Sequence, residues 1–186
     1  KTVDIRLSAA SAKTITVDYA TSTTDSFPTF TAADIATSAD YVRDVHVGDL
    51  DGDGDLDIIS ASKLDNTIAW YENDGAANPS FTAADIATSA QSANDVHVAD
   101  LDGDGDLDII SASMDDDTIA WYENDGAANP TFTAADIATT ADGALGVTIA
   151  DIDGDGDLDI ISASAEDDPI AWYENDGAAN PTFTAA

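Results

Sequence analysis

The chain has 186 residues and no cysteine, and its 38 acidic residues stand against 5 basic ones, for a formal charge of −33. A surface of that sign repels nucleic-acid phosphates and anionic lipid, and the missing cysteines exclude a disulfide framework and a thiolate zinc site. All five basic side chains (Lys1, Arg6, Lys13, Arg43, Lys63) precede Leu64, so protein cations cannot neutralise the acidic residues that follow.

Residues 1–26 stand apart from the rest. Thr2 to Leu7 and Thr14 to Thr21 alternate apolar and polar side chains (Val3, Ile5, Leu7; Ile15, Val17, Tyr19) across a Ser/Ala-rich turn, which predicts a β-hairpin. Such a hairpin is marginal alone and should dock on something. The chain opens at Lys1 without Met or an apolar leader, as expected of a mature or excised portion of a longer protein. No run reaches the ~18 apolar residues of a membrane-spanning helix.

From about residue 27 a long unit recurs three times, over about 27–79, 80–130 and 131–181. Each copy reads Phe-Thr-Ala-Ala-Asp-Ile-Ala-Thr, then an apolar–polar alternation, an aspartate–glycine loop, Asp-Ile-Ile-Ser-Ala-Ser, a segment ending Ile-Ala-Trp-Tyr-Glu-Asn-Asp-Gly, and Ala-Ala-Asn-Pro. The apolar pieces Val45–Val47, Ile58–Ser62 and Thr67–Tyr71 are too short for helices, rich in strand formers, and bounded by Asp, Asn, Gly and Pro. Units of ~50 residues suit four-stranded propeller blades. The predicted fold is therefore all-β: three tandem four-stranded blades preceded by a hairpin. Three blades fall short of the ~4–8 that close a ring, so either more blades exist in a longer chain or copies assemble. The ending Pro181–Thr184 is expected to begin a further outer strand that could continue into a neighbour.

The loop is the most informative segment. Asp49-Leu50-Asp51-Gly52-Asp53-Gly54-Asp55-Leu56-Asp57 recurs at Asp100 to Asp108 and at Asp151 to Asp159. Carboxylates at loop positions 1, 3, 5 and 9, with a glycine at position 6 to take the positive φ that closes the loop, form a cage of hard oxygens suited to Ca2+, which takes 6–8 of them. One ion per loop gives three per chain; their six positive charges would bring −33 to −27. An EF-hand requires a bidentate Glu at position 12, where Ser60, Ser111 and Ser162 stand, and glycine-rich RTX nonapeptides do not occur.

Other features are read as structural. Trp70, Trp121 and Trp172 recur inside predicted strands and are assigned to packing between blades rather than to a sugar-stacking platform. His46 and His97 are replaced by Thr148 in the third copy, which fits strand residues better than ligands or bases. Asp115–Asp117 and Glu166–Asp168 are expected as exposed turns, at which Asp117 should tolerate change.

The loop Asp-x-Asp-x-Asp-Gly-x-x-Asp, followed by Ile-Ile-Ser-Ala-Ser and Trp-Tyr-Glu-Asn-Asp-Gly, resembles the FG-GAP/VCBS-type repeats of secreted bacterial proteins, relatives of the integrin α-subunit propeller blades. The resemblance covers residues 27–186. It implies a β-propeller in which each blade carries a calcium loop between its first two strands, within a family dominated by adhesion, carbohydrate binding and surface display. The ligands it implies are Asp49, Asp51, Asp53 and Asp57; Asp100, Asp102, Asp104 and Asp108; and Asp151, Asp153, Asp155 and Asp159. Asp55, Asp106 and Asp157 fall where the family uses a backbone carbonyl. The Phe-Gly and Gly-Ala-Pro signatures of the integrin type are missing. Val17–Thr21 looks like the end of a Calx-β-type domain.

Together these features give a calcium-stabilised, non-enzymatic scaffold, extracellular and either secreted or held at the cell surface, for adhesion or for binding carbohydrate or protein. The alternative is a structural subunit that self-assembles into a filament or ring. The expected partners are calcium, further copies or blades, and surface glycans or proteins, with no nucleic acid and no membrane insertion. Weak extracellular calcium loops, at ~10⁻⁴–10⁻³ M, would stand empty at cytosolic calcium.

Overall fold

The computed structural model describes residues 32–166 and 170–185; the hairpin expected over residues 1–26 lies outside them. Among the described residues, twelve strands form three four-stranded antiparallel sheets, each in sequential order. The first contains β1 (Val42–Gly48), β2 (Asp57–Ser62), β3 (Thr67–Asn73) and β4 (Phe81–Ala87). The second contains β5 (Ala93–Ala99), β6 (Asp108–Ser113), β7 (Thr118–Asn124) and β8 (Phe132–Ala138). The third contains β9 (Ala144–Ala150), β10 (Asp159–Ser164), β11 (Ala171–Asn175) and β12 (Phe183–Ala185). No helix occurs among the described residues, and none is long and apolar enough to cross a membrane.

Phe183–Ala185 forms the outer strand of the third sheet, pairing with β11, Asn175 opposite Phe183 and Tyr173 opposite Ala185. The intervening turn is tied locally: the Asp176 carboxylate accepts the Thr182 N–H at 3.1 Å and the Ala178 N–H at 3.2 Å. A strand that folds back across so short a turn satisfies its ladder within its own sheet at little loop-closure cost.

The central strands explain why the apolar runs are continuous rather than alternating. Successive strand residues point to opposite faces, and the middle sheet has a neighbour on both. Ile109, Ala120 and Tyr122 pack toward the first sheet with Leu50, Ile59, Ile68 and Trp70. Ile110, Ile119 and Trp121 pack toward the third with Val147, Ile160 and Tyr173. The expectation for the tryptophans holds at Trp70 and Trp121, which are buried between sheets and meet Phe132 and Phe183 edge-on at 6.4 and 6.1 Å.

Polar ties repeat with the packing. A bulge between Val42 and Asp44, and another between Ala93 and Asp95, turn the aspartates toward the next sheet. Asp44 accepts the Val96 N–H at 3.2 Å and Asp95 the Val147 N–H at 2.7 Å. Burial, together with the Asp44 carboxylate beside it, pushes the Asp95 carboxyl up to about 6, against the pull of the Val147 N–H toward the charged form. An acid whose folded pKa is raised contributes stability at and below its unfolded pKa, ~3.9, and loses that contribution as pH rises through the folded value. Asp95→Asn keeps an acceptor for Val147 and removes the titration. The variant should therefore gain in melting temperature relative to the parent as pH rises from ~4 to ~6, a difference that calorimetry across that window would register. His46 and His97, on β1 and β5, meet edge-on with ring centroids 4.7 Å apart, and burial followed by the neighbouring imidazole lowers the His97 pKa.

The acidic turn after β6 also departs from expectation. Asp117 sits at φ 58° and its carboxylate accepts the Gly143 N–H at 3.0 Å, while its carbonyl accepts the Ala141 N–H at 2.9 Å. It is thus a tie to the third sheet. Asp117→Ala should cost ~1–2 kcal/mol, from the lost bond and the left-handed backbone that Ala tolerates poorly, while Asp117→Asn should be near neutral. Urea titration of the two variants separates them.

Candidate metal centres

Each aspartate loop links the first two strands of a sheet, β1 to β2, β5 to β6 and β9 to β10. Glycine at position 6 has φ 98°, 102° and 107° in the three loops, at Gly54, Gly105 and Gly156, and nothing lies within 4 Å of where a Cβ would stand. Conformation, not space, requires glycine there. Within each loop side chains fold onto the backbone: Asp49 accepts the Gly54 N–H at 3.0 Å, Asp51 the Asp53 N–H at 3.2 Å, and Asp53 the Asp55 N–H at 2.8 Å. Equivalent bonds run from Gly105 to Asp100, Asp104 to Asp102, and Asp106 to Asp104. Positions 1, 3 and 5 are thereby turned to one side of the loop.

That arrangement brings Asp49, Asp51 and Asp53 together in the first loop and Asp100, Asp102 and Asp104 in the second, with one carboxylate oxygen of each within 4.8 Å of the others. In the third loop the close group is Asp151, Asp153 and Asp159; Asp155 stands outside it, although it accepts the Asp157 N–H at 3.0 Å just as Asp53 and Asp104 accept theirs. Ligand oxygens 2.3–2.6 Å from a calcium ion lie at most ~5 Å apart, so the three clusters have the required span. Desolvation, and after it the proximity of like charge, raises the pKa of Asp51, Asp102 and Asp153, partly offset by backbone N–H bonds.

Position 9 has a structural duty as well. Asp57, Asp108 and Asp159 are buried, and their two oxygens accept a loop N–H and a strand N–H: Leu50 at 3.2 Å and Asn73 at 2.9 Å, Leu101 at 3.2 Å and Asn124 at 2.9 Å, Ile152 at 3.0 Å and Asn175 at 2.9 Å. Asp57 and Asp108 stand outside the close groups, whereas Asp159 serves both. Burial pushes the Asp108 carboxyl up to about 6 against those backbone donors. Position 7 points elsewhere: a Cβ on Gly75, Gly126 or Gly177, each at positive φ, would run into the Asp55, Asp106 or Asp157 carboxylate. These side chains lie against the following turn and stand outside the three close groups. In the same turns hydroxyl and amide donors, led by Ser80, Thr131 and Thr182, lower the pKa of the exposed Asp74, Asp125 and Asp176.

Asn73, Asn124 and Asn175, read from sequence only as turn punctuation, prove to be ties. Asn124 Nδ2 donates to the Leu50 carbonyl at 2.8 Å and the Leu107 carbonyl at 3.0 Å, joining the first loop to the second sheet; Asn175 does the same with Leu101 and Leu158 at 2.9 and 3.1 Å. Their threefold recurrence beside Asp-Gly was the only signal in the sequence.

A model of the FG-GAP-like repeat matches residues 49–111 and again 100–162, together more than half of the chain. The chain belongs to the FG-GAP-like repeat family. No curated protein matches it. Its FG-GAP-like matches begin on the first residue of successive loops, Asp49 and Asp100, so the repeat is a β-sheet scaffold organised around the aspartate cluster.

The donor set fits a hard divalent cation. All the atoms brought together are carboxylate oxygens, and Asp49 Oδ1 is buried without a hydrogen-bond partner, an arrangement that is costly unless a cation completes it. Bound there, Ca2+ would supply the positive charge that no Lys or Arg after Lys63 provides.

Proposed function

We propose that the protein is a calcium-stabilised extracellular scaffold for adhesion, binding carbohydrate or protein without chemical turnover. The observation that carries this reading is the recurrence, in phase with the sheets, of three carboxylate clusters of calcium span, one of them holding a buried, unpartnered oxygen. Extracellular calcium fills loops of modest affinity that cytosolic calcium leaves empty. The convergent acidic groups are accounted for by cation binding, which removes the main reason to assign them to acid–base chemistry.

Ligand contact is better placed at the repeated clefts than at the indoles. One cleft per sheet opens beside Tyr71, Tyr122 and Tyr173, with volumes of 220, 480 and 440 Å³. Ser113, Asp116, Thr118 and Asp136 give the middle one a polar lining suited to hydroxyl-rich ligands. A glycan array probed in calcium and in EGTA tests the reading: hits present only in calcium are expected. An array blank in both conditions would contradict carbohydrate binding, and cleavage of a retained glycan would contradict the non-enzymatic assignment.

A further inference from the structure

The three sheets stack with a direction, and the two outer faces of the stack are the two halves of its internal interface. On the side of each sheet that meets the next one, Leu50 and Leu101 are 3% exposed and Ile68 and Ile119 are 0% exposed. Their equivalents on the third sheet, Ile152 and Ile170, are 51% and 73% exposed, and Trp172 is only half-buried. The opposite side repeats the pattern. Val96 and Val147 are 0% and 4% exposed, whereas Val45 on the first sheet is 59% exposed, with Val42 and Leu56 exposed around it.

The hydrogen-bonding groups match as well. Asn124 and Asn175 each reach the preceding loop's carbonyl. The Asn73 side-chain amide donates only within its own sheet among the described residues, to the Leu56 carbonyl at 3.0 Å. Ile152 is the third-loop counterpart of Leu50 and Leu101, whose carbonyls accept from the next sheet. Gly146 replaces the aspartate of Asp44 and Asp95, so one carboxylate tie would be missing from a contact on the third sheet.

We infer that these faces join head to tail between two copies of this chain, the third sheet of one copy against the first sheet of the other. The occupant is a second copy because the complementary surface, apart from the carboxylate tie lost at Gly146, is the one this chain carries on its other end. A foreign partner would have to imitate it. The contact is heterologous, and two chains bring the sheets to six, within the ~4–8 that close a propeller. This inference goes beyond the scaffold reading and its readout is independent of calcium stoichiometry.

Two variants test it, each at an exposed side chain. Val45→Arg blocks the first-sheet face and Ile170→Arg the third-sheet face. Sedimentation equilibrium of the full chain in calcium buffer should give the parent a mass of two or more chains. Each folded variant alone should fall to the 19.1 kDa of one chain, and an equimolar mixture should recover a dimer, because each supplies the face the other has lost. A circular-dichroism spectrum unchanged from the parent confirms folding. A parent that stays at one chain mass, a variant that remains associated by itself, or a mixture that stays monomeric would each overturn the inference.

Discussion

Excess EGTA is expected to lower the melting temperature by ~15–30 °C or to unfold the chain outright. A ligand that binds only the folded state at a hundred times its dissociation constant stabilises by ~2.7 kcal/mol, so three sites give about 8 kcal/mol. That is comparable with the whole ~5–15 kcal/mol stability of an ordinary domain, and each kcal/mol moves the midpoint of a chain this size by ~2–4 °C. The residues behind the expectation are specific. Asp49, Asp51 and Asp53 converge on one another with no basic side chain among the ligands, and Asp49 Oδ1 is buried unpaired. Emptied of cation, each loop holds like charges together, and unfolding relieves them. Differential scanning calorimetry in calcium and in EGTA reads the shift directly.

Trp121→Ala should cost ~3–5 kcal/mol, the range for deleting a large buried aromatic. Trp121 lies between the second and third sheets with Ile119, Val147 and Ile160 and stacks edge-on against Phe183, so the cavity would open within the junction of the two sheets. Trp172→Ala should cost much less, since that indole is half-buried and faces no further sheet among the described residues. Urea unfolding curves compare the pair. Equal losses for the two substitutions would show that burial between sheets is not what holds Trp121.

The strands and the loops were legible because their signals are local. Ile58–Ser62 reads as a strand from β-branched content and Asp/Gly punctuation, and the ligand-bearing loop from carboxylates spaced at two residues around a glycine; both patterns survive without tertiary information. What could not be read depends on contacts 16 to 74 residues away in the chain. The position-9 aspartates look from sequence like any other carboxylate in the cage, yet the folded chain buries them and points two backbone donors at each. Asn124 looks like the start of an Asn-Asp-Gly turn, and only the adjacent sheet reveals the Leu50 carbonyl it serves. Asp117 looks like one of three solvated acids, and its bond to Gly143 exists because the next sheet comes within reach. The repeat written from its phenylalanine is offset by one strand from the hydrogen-bonded sheet, which runs from β1 to β4, because sequence similarity does not show which side of the Asn-Asp-Gly turn closes a sheet.

Isothermal titration with calcium, paired with metal analysis after exhaustive dialysis, tests the central claim most directly. Three ions per chain are expected for the parent, and two for Asp104→Ala, which removes a ligand from the middle loop alone. A parent that retains none or one, or an Asp104→Ala protein with the same stoichiometry as the parent, would contradict it.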